Sequence, residues 1–368
     1  MLHAYCSDIQ TPKGPLQSRP SDPEGLRICD LGTGTEFPKY QLARRVIREA
    51  RYARRFGSEL HSFGPDVVLS SNDPPVARLL SIAAARRAHV PVVCWLQDLY
   101  ALGLSLIFRE RLGCLAVAPS FVARALERHA LRGCAAVVVI GEEFVAPTQR
   151  MVDEQIPVRC IENWAPIEEL PALPRTNPLR RRLGLEDDFV FLYSGTLGLK
   201  HDPERLLELA DRARAWPRTV VVVCSEGPGA RHLASAARQR GLDTLRPLDY
   251  QPYERLPELL GMADVLCAVL DERAARYAVP SKILTYHTAG RPVLAAIARE
   301  NSAAKFIARA ESGIVVEPAD ARGWMHAARR LRYDEALRER LGHNARAEAE
   351  RAFDIDEIVE RFQGLLEG

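Results

Sequence analysis

The sequence predicts an α/β protein of two doubly wound domains, each a parallel sheet, and three features carry that reading. Short β-branched runs alternate with helical stretches along both halves, a pattern that implies parallel strands covered by helices on both faces. The 368 residues exceed what one domain usually holds. A proline-rich stretch, 160–178, carries Pro166, Pro171, Pro174 and Pro178 and interrupts the alternation near the middle, as an interdomain connection does. The expected division is an N-terminal domain over 1–165, a C-terminal domain over 166–345 and a last helix within 346–368.

Taken in order, 5–25 is polar and rich in Pro, Gly and Ser and reads as loop, so the first strand is expected only at 26–31. A helix follows over 39–56. Leu42, Val46, Ile47, Ala50 and Ala53 give it an apolar stripe, and Lys39, Arg44, Arg45, Arg48, Arg51, Arg54 and Arg55 make the remainder basic. Such a face suits an anionic membrane or a phosphorylated lipid, with a solvated arginine-rich face as the equal alternative. Strand 66–70, helix 76–88, strand 90–95, the apolar stretch 99–108, a helix near 121–131 and strand 135–140 complete the first half. The second half is expected to hold strands 189–194, 219–224, 264–269, 292–297 and 313–316. Helices are expected near 203–215, 230–240, 254–262, 281–289 and 303–310, then over 320–332, 335–352 and 356–366.

Composition limits the function classes. Formal net charge is +2, so nothing global favours nucleic acid. The eight cysteines are scattered, with no Cys-x-x-Cys pair, which fits a reducing cytosol and excludes a structural zinc motif. No uninterrupted apolar run reaches membrane-spanning length.

The chemistry concentrates in loops after the strands of the second half. Gly195 and Gly198 loosen the backbone after strand 189–194, Asp202 is the expected N-cap with Pro203 at the first helical position, and Lys200 stands beside that helix start. Amide groups, helix dipole and ammonium together suit a phosphate, though an ordinary strand–helix turn is the competing reading. Ser225-Glu226-Gly227-Pro228-Gly229 follows the next strand, where Glu226 suits a sugar or ribose hydroxyl. Leu248 to Pro252, with Tyr250 and Gln251, could read a base edge, though the residues alone favour a plain loop. In Val279-Pro280-Ser281-Lys282, Ser281 is expected to cap a helix, and Lys282, set against the helix dipole, calls for an anionic partner. In the first half Asp98 follows a strand end inside an apolar stretch, where a desolvated carboxylate would suit taking a proton, with a helix or turn cap as the equal alternative.

IENWAPIEELP, SGTLGLKHDP, SEGPG, DVLCAVLDE and VPSKILTYHTAGRPVLA, in this order and spacing, resemble the family 4 glycosyltransferases of GT-B fold, most of all the bacterial branch that builds surface polysaccharides and O-antigen units. The resemblance implies transfer of a sugar, with retained anomeric configuration and without metal or other cofactor, from a nucleotide diphosphate sugar, UDP-linked in the expected case. The donor would bind the C-terminal domain and a lipid diphosphate-linked saccharide the N-terminal one, on the cytoplasmic face of the membrane. The last helix would cross back to the first domain. Lys200 and Asp98 become the expected catalytic residues. Gly195, Thr196, Gly198, Lys200, Glu226, Gly227, Tyr250, Gln251, Asp271, Ser281 and Lys282 become the donor contacts, with Arg44, Arg45, Arg48, Arg51 and Arg55 on the acceptor or membrane side. Tyr277 and Thr285 stand where many relatives carry two glutamates, so Asp271 or Glu272 is expected to serve the sugar. Relatives also begin with a strand and glycine loop ahead of HAYCSDIQ; the N-terminal domain is therefore expected to lack its first strand, and the true start to lie upstream. The same architecture serves nucleotide-sugar 2-epimerases, and a non-catalytic sugar-nucleotide-binding subunit is the remaining alternative.

Overall fold

Twelve strands in three all-parallel sheets organise the described residues, 1–8, 15–20, 22–35, 37, 41–198, 201–274 and 278–367, of a computed structural model. Chain contacts group Met1–Ile161 with Arg361–Gly368 as one unit and Glu162–Glu360 as a second.

In the first unit β1 (Leu2–Tyr5) pairs with β2 (Arg27–Asp30), and β3 (Val68–Ser71), β4 (Val92–Leu96), β5 (Ala136–Val139) and β6 (Val158–Cys160) form a four-stranded sheet in that order. The sequence reading missed β1. LHAY alternates too weakly to declare itself, and its ladder partner lies 25 residues away, Leu2 opposite Arg27. A strand therefore precedes Leu26, contrary to expectation. β6 is likewise unforeseen, and its last residue, Cys160, falls at the start of the expected linker.

The second unit holds β7 (Phe189–Ser194), β8 (Thr219–Cys224), β9 (Leu245–Leu248), β10 (Val265–Val269), β11 (Val293–Ala296) and β12 (Gly313–Val316), in the order β12-β11-β10-β7-β8-β9. Its inner strands β7, β8, β10 and β11 are apolar without alternation because both faces are covered. Val190 and Leu192 enter one core with Ile283 and Phe306. Phe189, Phe191 and Tyr193 enter the other with Leu206 and Trp324. Consecutive residues of one strand thus feed two cores, as the pleat requires. The chain runs outward in opposite directions from β7, toward β8 on one side and β10 on the other. This reversal leaves a crevice at the carboxyl ends of β7 and β10, the usual ligand position in such sheets.

His287 shows how thoroughly this unit is packed. The buried imidazole donates from Nδ1 to the Ile283 carbonyl at 2.7 Å, which leaves Nε2 to accept from Ser312 Oγ at 2.7 Å. Burial holds its pKa down to about 4, against 6.5. The unfolded chain therefore takes the proton first as pH falls. The contribution is intact above pH 6.5 and is lost between there and about 4, by about 3 kcal/mol at most. Urea melts at pH 7 and 4.5 should show this loss, and His287→Gln should reduce it.

Candidate active site

Lys282 is the centre of the site. It opens helix Lys282–Thr288 after Pro280 and Ser281. Its stem is partly exposed, but Nζ is sealed from solvent and has no hydrogen-bond partner among the described residues. The ammonium lies 3.6 Å from the centroid of the Tyr193 ring, a cation–π contact. A side chain on Gly195 would meet its Cε and Nζ at 3.3 Å. With no anion beside it, desolvation pushes the Lys282 pKa well below the ordinary lysine value. A sealed, unpaired amine costs folding free energy unless a ligand meets it. Ser281, expected to cap this helix, makes no side-chain cap bond; its backbone is already helical, so its hydroxyl is not placed over the first-turn amides.

The end of β7 and its loop line Lys282, and the β8 loop packs on the β7 loop. Gly195 takes φ +121, a conformation other residues avoid. The Tyr286 hydroxyl accepts the Ser194 N–H at 3.0 Å and lies 3.1 Å from the Ser194 and Cys267 carbonyls, joining the ends of β7 and β10. Exposed Thr196 Oγ1 is 2.7 Å from the Tyr250 hydroxyl. Leu197 donates to the Glu226 carbonyl at 3.1 Å and accepts from Gly229 N–H at 3.0 Å, so the two loops are stitched together. A Cβ on Gly229 would come 2.8 Å from the Leu197 oxygen, which is why glycine stands there; Gly227 has φ +100. Helix Pro228–Arg240, which follows, has no side-chain cap. The Glu226 side chain is exposed; Gly198 is partly buried, and its N–H donates to His201 Nδ1 at 3.2 Å.

Other expected contacts fall differently. Lys200 lies outside the described residues, as does Tyr277. Asp271 turns its carboxylate onto the Arg273 N–H at 2.9 Å. Gln251 donates to the Asp249 carbonyl at 2.9 Å. Asp202 accepts from Glu204 N–H at 3.0 Å just before helix Glu204–Ala213, without being its N-cap. Sequence reasoning missed Tyr193 and Tyr286. Spacing offered one signal, since Tyr286 stands one helical turn after Lys282.

In the first unit, Asp98 is half-buried at the turn between β4 and helix Tyr100–Leu112. A second carboxyl, Asp73, follows β3; the Ser70 hydroxyl donates to it at 2.6 Å and burial pushes its pKa up. Helix starts here are occupied by internal carboxylates. Glu49 Oε2 accepts Val76 N–H at 2.8 Å and Ala77 N–H at 3.3 Å at the start of helix Pro75–Arg87. Glu127 accepts Ala101 N–H at 3.1 Å in helix Tyr100–Leu112. The basic face of helix Leu42–Phe63 is also partly consumed. Arg45 pairs with Glu49 at 2.6 Å, Arg48 with Asp8 at 3.3 Å, and Arg55 donates to the Leu31 and Gly32 carbonyls. Arg45 and Arg48, half-buried in these pairs, correct the expectation of a continuous outward arginine face, whereas Arg44, Arg51 and Arg55 are exposed. Val46 and Ile47, members of the expected apolar stripe, are exposed.

The descriptions "Glycosyl transferase 4-like domain" and "Glycosyl transferases group 1" match residues 5–164 and 176–348. The chain is 36% identical over 124 residues to WcaI of Escherichia coli strain K12, a glycosyl transferase assigned to colanic acid biosynthesis. That match spans 33% of this chain and 30% of the relative. It is 28% identical over 231 residues to an alpha-D-kanosaminyltransferase of Streptomyces kanamyceticus, spanning 61% of this chain and 58% of the relative. The crystal structure of HepE from Anabaena in complex with UDP-glucose superposes with a TM-score of 0.69 at 17% identity, covering 93% of this chain and 86% of that one. Two successive domain matches on one two-unit architecture lead to one assignment: the chain belongs to the family 4 glycosyltransferases of GT-B fold.

Proposed function

We propose that the chain is a retaining, metal-independent hexosyltransferase. It moves a sugar from a nucleotide diphosphate sugar, UDP-linked, to a saccharide on a lipid diphosphate carrier during bacterial surface-polysaccharide synthesis at the cytoplasmic face of the membrane. Residues 166–345 take the donor and 1–165 the acceptor, with the last helix returning to the first domain. One observation carries this reading: the enclosed, unpartnered Nζ of Lys282 beside the positive-φ Gly195. An anion that meets it removes the cost of an unpaired buried amine. A diphosphate fits because the glycine loops after β7 and β8, stitched by the Gly229 N–H to the Leu197 carbonyl, meet at the carboxyl ends of the same sheet. The carboxylates Glu49 and Glu127 occupy the corresponding helix starts of the first unit, which makes that unit unsuited to the donor's phosphates. The UDP complex of HepE supports the choice of nucleotide.

As the bond from the anomeric carbon to the diphosphate breaks, negative charge builds on the departing oxygens. Lys282 and Lys200 stabilise it, and Gly195, Thr196, Gly198 and Gly227 let the backbone approach. Glu226, Tyr250, Gln251, Asp271 and Ser281 complete the donor side. Asp98 is the acceptor-side carboxylate that receives the proton of the attacking hydroxyl. Incubation with UDP-hexose and a lipid diphosphate-linked saccharide should give a glycoside of unchanged anomeric configuration by proton NMR, at a rate EDTA does not alter. An altered free sugar nucleotide formed without acceptor would instead identify an epimerase, and no conversion a binding subunit.

A further inference from the structure

The largest concentration of exposed apolar side chains lies far from the site just described in sequence, at the start of helix Val117–Leu131. Leu115, Val117, Phe121 and Val122 are 74%, 75%, 72% and 54% exposed. Two adjacent rows of the helix face outward together. Val117, Phe121, Arg124 and Arg128 form one, and Ala118, Val122, Ala125 and His129 the other. The opposite face is anchored by buried Glu127, Ala130 and Leu131. The outward face is therefore apolar in its first half and basic in its second. The one acidic residue between 113 and 129 is Glu127, which is buried and engaged by Arg78 and the Ala101 N–H. A grouped apolar exposure of this kind marks an interaction surface rather than ordinary scatter.

We infer that this helix tip docks on an anionic lipid bilayer: Leu115, Val117, Phe121 and Val122 enter the interface while Arg124, Arg128 and His129 rest among acidic headgroups. Charge decides the occupant. A chain of net charge +2 here presents cations with no exposed carboxylate in the segment, and apolar side chains beside cations are the pattern of interfacial helices. The inference moves the membrane contact away from helix Leu42–Phe63, whose Arg45, Arg48 and Arg55 are committed to internal partners. It rests on the proposed function for its purpose, the approach to a lipid-borne acceptor.

Flotation with vesicles tests it without turnover. At low salt the full chain should float with vesicles of equal parts phosphatidylglycerol and phosphatidylcholine, and not with phosphatidylcholine alone. Val117→Ser with Phe121→Ser should lower partitioning about tenfold or more. Arg124→Gln and Arg128→Gln should each lower it about fivefold and weaken its salt dependence. All four positions are exposed, so thermal melts should be unchanged; Leu115→Ser provides a second tip variant if the double one melts early. Lys282→Met should float like the parent, which separates failure of this inference from failure of the transferase reading. Undiminished flotation of the tip variants overturns the inference, as does loss of flotation confined to Arg44→Gln with Arg51→Gln. A parent that never floats, or a dimer in sedimentation velocity that the tip variants dissociate, overturns it equally.

Discussion

Replacing Lys282 with methionine should slow sugar transfer by two to three orders of magnitude while leaving the fold as stable as the parent or more so. The first effect follows from position. One preorganised cationic or hydrogen-bonding group aimed at charge that develops in the transition state is commonly worth about 3–4 kcal/mol of barrier. Lys282 is the described ammonium sealed at the carboxyl end of β7, with the Tyr193 ring on one side and Gly195 on the other. The second effect follows from what the residue costs. Its Nζ is enclosed and unpartnered, and methionine fills similar space without a polar atom to desolvate. A purely structural lysine would show neither result. Steady-state kinetics together with thermal melts check both, and a variant that loses activity by unfolding would be recognised in the melt.

Arg180→Ala should cost about 3–5 kcal/mol and lower the melting temperature of the second unit by about 10 °C. Arg180 is fully buried. Its guanidinium donates to the Leu185 carbonyl at 2.8 Å, to the Met262 carbonyl at 2.5 Å and to the Asp188 carbonyl, and pairs with Asp264 Oδ2 at 3.2 Å. Asp264 in turn accepts the Val190 N–H at 2.8 Å and gives its own N–H to the Val190 carbonyl at 2.9 Å. This network locks β7 to the lead-in of β10, the two strands whose far ends carry Gly195 and the Lys282 approach. Arg175 remains on Asp264 at 2.6 Å and limits the damage. Arg180→Lys should not rescue the fold, because one compact ammonium cannot serve acceptors spread around a planar fork. Differential scanning calorimetry distinguishes these outcomes.

The central strands of the second unit were legible because they are buried on both faces. FVFLYS and TVVVVC are apolar runs bounded by polar residues, and their limits, 189–194 and 219–224, agree with the structure. GIVV was equally readable. LRPL and VRC, in β9 and β6, were not, since edge strands carry charge and proline where no second neighbour needs satisfying. The site divides similarly. Glycine turns and the Pro-Ser-Lys step announce where backbone and cation gather, because those residue types are forced by local geometry. The roles of Tyr193 and Tyr286 depend on tertiary neighbours, Lys282 Nζ for one and the Ser194 and Cys267 carbonyls for the other. Nothing within a local window reveals them. Arg48 and Asp8 are forty residues apart, so a helix that reads as a free basic face turns out to hold an N-terminal loop in place.

Nitrogen-15 NMR of protein labelled at lysine Nζ tests the central claim most directly. Without ligand, Lys282 should give a resonance, absent from Lys282→Met, that titrates below the other lysines, because burial disfavours its charge. Added UDP should raise that titration, because the diphosphate stabilises the ammonium. A Lys282 titration that stays where it was at saturating UDP would contradict the account.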